Sequence, residues 1–170
     1  MSPDIHTFTE DLKWSEKPSQ YVTYMQAVDY WWSNATEWDR VMDVAQQKKG
    51  QDVVVSLPDG KSVRLQFKKR RKDFGDICIE YRHDFPSGYQ KPGWIETPSD
   101  ADYLIYCVPT KTYRIEYKSL HTAWEANKKQ WIARFDLRPS INPEYSTRNV
   151  GVPIPVLKEA GVVIDVVDLP

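Results

Sequence analysis

Four side chains have the types and spacing to work on a phosphodiester: Asp52, Gln66, Lys68 and Glu80. All fall within one run, GQDVVVSLPDGKSVRLQFKKRRKDFGDICIEYR, residues 50 to 82. Hydrolysis of that bond needs an in-line nucleophile and a way to offset negative charge in the transition state. A hard cation held by oxygen ligands supplies the charge, and water bound to it supplies the nucleophile. Asp52 is the natural anionic ligand for Mg²⁺, with Mn²⁺ as a substitute. Gln66 brings a neutral amide oxygen that can coordinate or position water without adding charge. Lys68 can orient the attacking water or offset charge on the phosphate.

The elements that must position these residues are readable as strands. An Asp59-Gly60 pair between two β-rich runs predicts a hairpin, with arms over residues 52–57 and 62–70. In the second arm Val63, Leu65 and Phe67 alternate with Arg64, Gln66 and Lys68. Period-two geometry therefore puts Gln66 and Lys68 on one face, opposite the apolar residues. A third strand over residues 76–84 repeats the alternation, with Ile77, Ile79 and Tyr81 against Cys78, Glu80 and Arg82. If the three strands are neighbours, their polar rows converge.

The order Asp52, a hairpin, then Gln66-Phe67-Lys68 resembles the PD-(D/E)XK nuclease superfamily, in the variant where glutamine replaces the acidic residue before the lysine. That variant is found in some restriction endonucleases and in a homing endonuclease. The wider run, with GQD, LQFKKR and GDICIEY on successive strands, is also similar to small phage-type nucleases of the superfamily. The resemblance covers mainly residues 36–118. It implies an α/β fold with a mixed central sheet flanked by helices, a restriction-endonuclease-like core. It also implies Mg²⁺-dependent endonuclease activity on DNA, with metal ligation by Asp52 and Gln66 and assistance to the water by Lys68.

The superfamily often adds a helical glutamate before the sheet, and Glu37 is the candidate; Glu80 is a further candidate ligand. Two departures stand out, since no proline precedes Asp52 and the acidic member is Gln66. A second register would place Gln66 in the aspartate position with Glu80 and Arg82 as the later acid and base. It ranks lower because arginine deprotonates far less readily than lysine. The run Lys69, Arg70, Arg71 and Lys72 follows the active strand and would meet phosphates, giving position without sequence information.

The remainder of the chain supplies the scaffold. Residues 1–18 carry Pro3 and Pro18 without sustained periodicity and read as an irregular arm before a single domain over 19–170. Tyr21, Tyr24, Met25, Val28, Trp31 and Trp32 recur on one helical face, with Ser19 as the N-cap. Thr36 and Asp39 form a capping-box-like start for a second helix, with Trp38, Val41, Met42 and Ala45 on its apolar side and Gly50 at its end. Residues 85–101, with three prolines and two glycines, read as a long loop in which Trp94 is a core anchor or a base-stacking side chain, the anchor being favoured. A hairpin over residues 102–118 follows, then a helix capped by Ser119 and running to about Phe135. The segment 139–151 reads as loop, and residues 157–160 and 162–167 as a helical turn and a strand.

Composition narrows the partners. In 170 residues, 23 Lys and Arg stand against 24 Asp and Glu, so the chain as a whole does not attract a polyanion and any nucleic-acid contact must be a local patch. Cys78 and Cys107 are too few for a Cys and His zinc site and read as buried thiols. His83 and His121 lack spaced partners for a metal pair or a triad. The first residues lack the apolar core of a signal peptide and no run reaches membrane-spanning length, so a cytoplasmic location without membrane association is expected. The expected partner is DNA, duplex or branched, ahead of RNA. Cutting both strands with a domain of this size favours a homo-oligomer. A catalytically degenerate module that binds nucleic acid or a protein is the competing expectation.

Overall fold

The computed structural model describes residues 19–168, so the arm expected over 1–18 lies outside the described residues. The fold is mixed α/β, built on two sheets. A six-stranded sheet has the order β1-β2-β3-β6-β7-β10, formed by Glu37–Arg40, Val53–Ser56, Ser62–Lys69, Tyr103–Val108, Lys111–Glu116 and Ile164–Val167. A four-stranded sheet has the order β5-β4-β9-β8, formed by Gln90–Pro92, Asp76–Asp84, Ser146–Pro153 and Ser140–Ile141. Four helices among the described residues complete it: α1 (Ser19–Trp31), α2 (Val44–Lys48), α3 (Tyr117–Phe135) and α4 (Ile154–Glu159).

The hairpin β2–β3 forms as the sequence indicates, with Val53 opposite Leu65 and Ser56 opposite Ser62. Strand β3 then pairs parallel to β6, which makes the large sheet mixed. The connection between them runs through β4 and β5 of the smaller sheet.

Each face of β3 meets a different layer. Leu65 and Phe67 pack with Val53, Val55, Ile105 and Cys107 beneath α1, whose Ala27 and Val28, with Trp32 just past its end, close that core. Met25, expected on the same stripe, points outward and is 45% exposed. The opposite face of the large sheet carries Leu104, Tyr106, Tyr113 and Ile115. These join Ile77 and Ile79 of β4, Val150 and Val152 of β9, Leu157 of α4, and Leu120, Trp124 and Trp131 of α3. Burying each such side chain is worth about 1.5–3 kcal/mol relative to leaving it in water. These two clusters hold the layers together.

Several expectations require correction. The helix expected from Thr36 is replaced at its start by β1, because Thr36 N–H donates to the Ser56 carbonyl (3.0 Å) and Val41 N–H to the Asp52 carbonyl (2.9 Å). Pairing with β2 takes the backbone groups that a helix would have used, and only residues 44–48 become helical, capped by Asp43 on Gln46 N–H. Strand β4 is not a hydrogen-bonded neighbour of β3; it lies in the other sheet between β5 and β9. Helix α3 begins at Tyr117, so Ser119 sits inside its first turn. There its hydroxyl donates to the Glu116 carbonyl (3.0 Å) and accepts from Val163 N–H (3.0 Å). The segment expected as loop after Pro139 contains β8 and the eight-residue β9, which pairs along β4. Within residues 85–101, three residues form β5. Beyond it Gly93 passes so close to β4 that a Cβ there would collide with the Glu80 carbonyl and the Tyr81 backbone.

Candidate functional site

The parallel pairing of β3 with β6 fixes where its polar residues point. Gln66 lies beside Leu104 and Lys68 beside Tyr106, and both partners belong to the core between the layers. Gln66 and Lys68 therefore face inward toward the second layer, on the same side of β3 as each other. Sequence alternation identified that shared face, but the face is largely covered: Gln66 is 7% exposed.

Asp52 stands at the start of β2. Its N–H donates to the Leu65 carbonyl (2.8 Å), which continues the hairpin register and sets Asp52 across from Gln66. Its carboxylate Oδ2 accepts the Phe67 N–H at 2.7 Å, a charge-assisted bond that holds the group against β3.

Gly50 brings the chain to this point with a φ of +76°, and a Cβ there would sit 3.0 Å from Gln66 Oε1 and 2.6 Å from Ser99 Oγ. A left-handed backbone and that close approach both favour glycine. Ser99 Oγ in turn donates to the Lys49 carbonyl (3.0 Å), which ties the 97–101 loop to the end of α2. Despite this crowding, the buried Gln66 Oε1 accepts no hydrogen bond from the described residues. An orphaned buried acceptor costs about 1–3 kcal/mol unless a group from outside the described residues meets it.

Lys68 reaches across the gap between the sheets. Its Nζ lies 4.0 Å from Glu80 Oε1 and 5.9 Å from the centre of the Trp94 ring. Trp94 is half-buried and serves as the expected anchor: its carbonyl accepts the Tyr117 hydroxyl (3.2 Å), while its indole N–H is buried without a partner among the described residues. Glu80 is thus brought to the site through the space between layers, although β3 and β4 are not paired.

The seam continues along β4 and β9. Glu80 lies opposite Asn149 and His83 opposite Thr147. His83 Nδ1 is 3.1 Å from Thr147 Oγ1, which also accepts from Asn142 Nδ2 (3.4 Å). Burial lowers the His83 pKa from its ordinary value, with Glu80 pulling the other way. Burial raises the Tyr145 pKa, and the Glu80 charge adds to that. Among the described residues the buried polar side chains are Gln66, Thr112, Asn142, Thr147 and Asn149, and all but Thr112 lie along this seam.

The remaining candidates fall elsewhere. Glu37 is exposed on the edge strand β1 opposite Ser56, at the end of β2 away from Asp52, so it is neither helical nor part of the site. Arg82 lies across a register shift from Glu80 and pairs with Asp84 (2.7 Å), which separates the members of the second register.

The basic run does not form one face. Arg70 is ion-paired with Asp76 and stacks over Phe74, Lys69 is half-buried with its pKa lowered by desolvation, Arg71 is half-buried, and Lys72 is exposed. Both cysteines are free thiols, and burial pushes each up to about 11. That leaves neither as a ready nucleophile near neutrality. No helix among the described residues is long and apolar enough to cross a membrane.

Asn149, Thr147, Trp94 and Ser99 are site neighbours that the motif did not include. In β9 polar and small Thr147, Asn149 and Gly151 alternate with Arg148, Val150 and Val152, so no single apolar face marks the strand. Comparison of the chain with protein-family models, with curated proteins and with solved structures finds no match.

Proposed function

We propose that this chain is a metal-dependent DNA endonuclease that hydrolyses phosphodiester bonds on a restriction-endonuclease-like core. The observation that carries the reading is the buried, unmatched amide oxygen of Gln66, set across the hairpin from Asp52 and on the same strand face as Lys68. An oxygen acceptor with no donor, beside an anchored carboxylate, fits a hard divalent cation. Asp52 and Gln66 would hold Mg²⁺, or Mn²⁺, with Glu80 as a third oxygen donor once it parts from Lys68. When bound, the ion supplies charge stabilisation and an acidified water.

The residues of the chain supply the rest. Phe67 N–H orients the Asp52 carboxylate, so the ligand is set before substrate arrives. Lys68 holds a positive charge in a partly covered position, where it offsets developing charge on a phosphate oxygen more effectively than it would in water. The Glu80 carboxylate lies beside that ammonium at 4.0 Å. Lys72 and Lys69 flank the strand end as phosphate contacts. Cutting two strands of a duplex with one such site per chain calls for a homo-oligomer.

One observation favours the competing reading of a nucleic-acid-binding or protein-binding module without catalysis. Among the described residues, no three His, Cys, Asp or Glu side chains gather in a metal-sized group. Nicking of supercoiled plasmid with Mg²⁺ or Mn²⁺ separates the two. The nuclease reading expects nicking that falls by about 100-fold or more in Asp52→Ala and in Lys68→Ala, the scale of losing one charge-stabilising group. Nicking unchanged in both variants would overturn the site, and absence of nicking with either metal would leave the binding module.

A further inference from the structure

The site face of the smaller sheet does not end at Glu80. Because β9 keeps its alternation through Asn149 and Thr147, the residues facing them, Glu80 and His83, share a face despite the irregularity between them. Continuing outward, His83 lies opposite Lys91 of β5, and Phe85 N–H closes the hairpin on the Tyr89 carbonyl (2.9 Å). Tyr145, two residues before Thr147, falls on the same face.

The rings form a line: His83 and Tyr145 centroids are 5.0 Å apart, Tyr145 and Phe85 5.2 Å, and Phe85 and Tyr89 5.5 Å. None of the four belongs to either core cluster, so the fold does not require them there. Tyr89 is 61% exposed, the other three are partly exposed, and Lys91 is exposed beside them. Single exposed aromatics are ordinary, but a contiguous strip with a lysine on its flank, continuous with a polar seam, is not accounted for by packing.

We propose that this strip binds unpaired bases of single-stranded DNA. Bases stack on Tyr89, Phe85 and Tyr145, Lys91 meets the backbone, and the strand is led toward Lys68 and Glu80. Aromatic rings offer a π-face that every base can use, whereas in a duplex those faces are already stacked on neighbouring bases. The binding surface stands on its own geometry; the idea that it delivers substrate rests on the endonuclease reading. It narrows that substrate to DNA with a single-stranded portion.

The test measures binding of the whole chain to a labelled oligothymidylate of about a dozen nucleotides by fluorescence anisotropy. EDTA is present, so cleavage plays no part. A hairpin duplex with the same number of phosphates is the comparison. The single strand is expected to bind at least about tenfold more tightly than the duplex, and Tyr89→Ala to weaken it by about tenfold, the scale of one lost stacking contact. Tyr89→Phe should retain binding, and Lys91→Ala should reduce the salt slope by about 0.7.

Tyr89 is exposed, so its alanine variant tests the surface without threatening the fold. Duplex binding as tight as single-strand binding, no measurable single-strand binding, or Tyr89→Ala binding like the parent would each overturn the proposal. Metal-dependent cleavage is scored separately, on a duplex carrying a single-stranded tail as well as on plasmid. Cleavage without ring-dependent binding sinks the strip alone, and ring-dependent binding without cleavage of either substrate sinks the hydrolytic reading alone.

Discussion

Toward α1, strand β3 presents Leu65 and Phe67, whose apolar side chains close on Val28, Val53, Val55 and Ile105. Toward β4 it presents Gln66, Lys68 and Arg70, of which two face carboxylates and one has an unmatched amide oxygen. Both faces are covered, and they are covered for different reasons. The α1 side lowers the free energy of the fold through apolar burial alone. The β4 side keeps polar groups out of water, where each must find a partner or weaken the fold. Packing residues and candidate site residues are therefore separated along a single strand, by residue parity.

Substitutions on alternate positions should expose that separation. On the α1 face, Leu65→Ala should cost about 2–5 kcal/mol, the sum of lost transfer energy and a residual cavity, read as a lower midpoint in urea unfolding. If Leu65→Ala instead unfolds no more easily than the parent, α1 does not seal this face. On the β4 face, Gln66→Met keeps the volume and removes the orphaned acceptor. It should leave stability unchanged or raise it by about 1 kcal/mol while lowering metal-dependent nicking. A large loss of stability in Gln66→Met would mean that the amide is structural.

The smallest effect concerns pH. Burial depresses the His83 pKa in the folded chain below its unfolded value near 6.5, so the unfolded state binds more protons in that range. Stability is then fully present above about pH 6.5 and lost as pH falls toward the folded value. Thermal melts from pH 7.5 to 5.5 should show that decline, and His83→Gln should flatten it. A decline of equal slope in both would assign the effect to other groups.

How much of this could be read in the chain follows from where each element finds its partners. The β2–β3 hairpin was legible because its partners are adjacent in sequence, its turn carries Asp59-Gly60, and its buried face is apolar. The shared face of Gln66 and Lys68 followed from alternation alone. Strand β9 was not legible, since its buried residues mix polar Thr147 and Asn149 with apolar Val150 and Val152 on alternate parities, and its partner β4 lies some seventy residues away. Glu37 was misplaced for a related reason. Thr36 and Asp39 carry a helix-start pattern, but the open edge of β2 offers hydrogen bonds that outweigh local propensity. That Glu80 reaches Lys68 from another sheet is a tertiary fact that no local pattern could carry.

Gly93 sets a limit on how this molecule can diversify. Its N–H donates to the Tyr81 carbonyl at 2.9 Å, and no side chain fits between it and the backbone that carries Glu80. The loop bearing Trp94 is therefore clamped to the irregularity in β4, and these segments supply Glu80 and Trp94, which flank Lys68 from two directions. A descendant sequence could not lengthen the side chain at position 93 without also rebuilding residues 80 and 81. Variation is consequently channelled toward the outer hairpin around Tyr89, where the backbone is unencumbered and single replacements can accumulate one at a time.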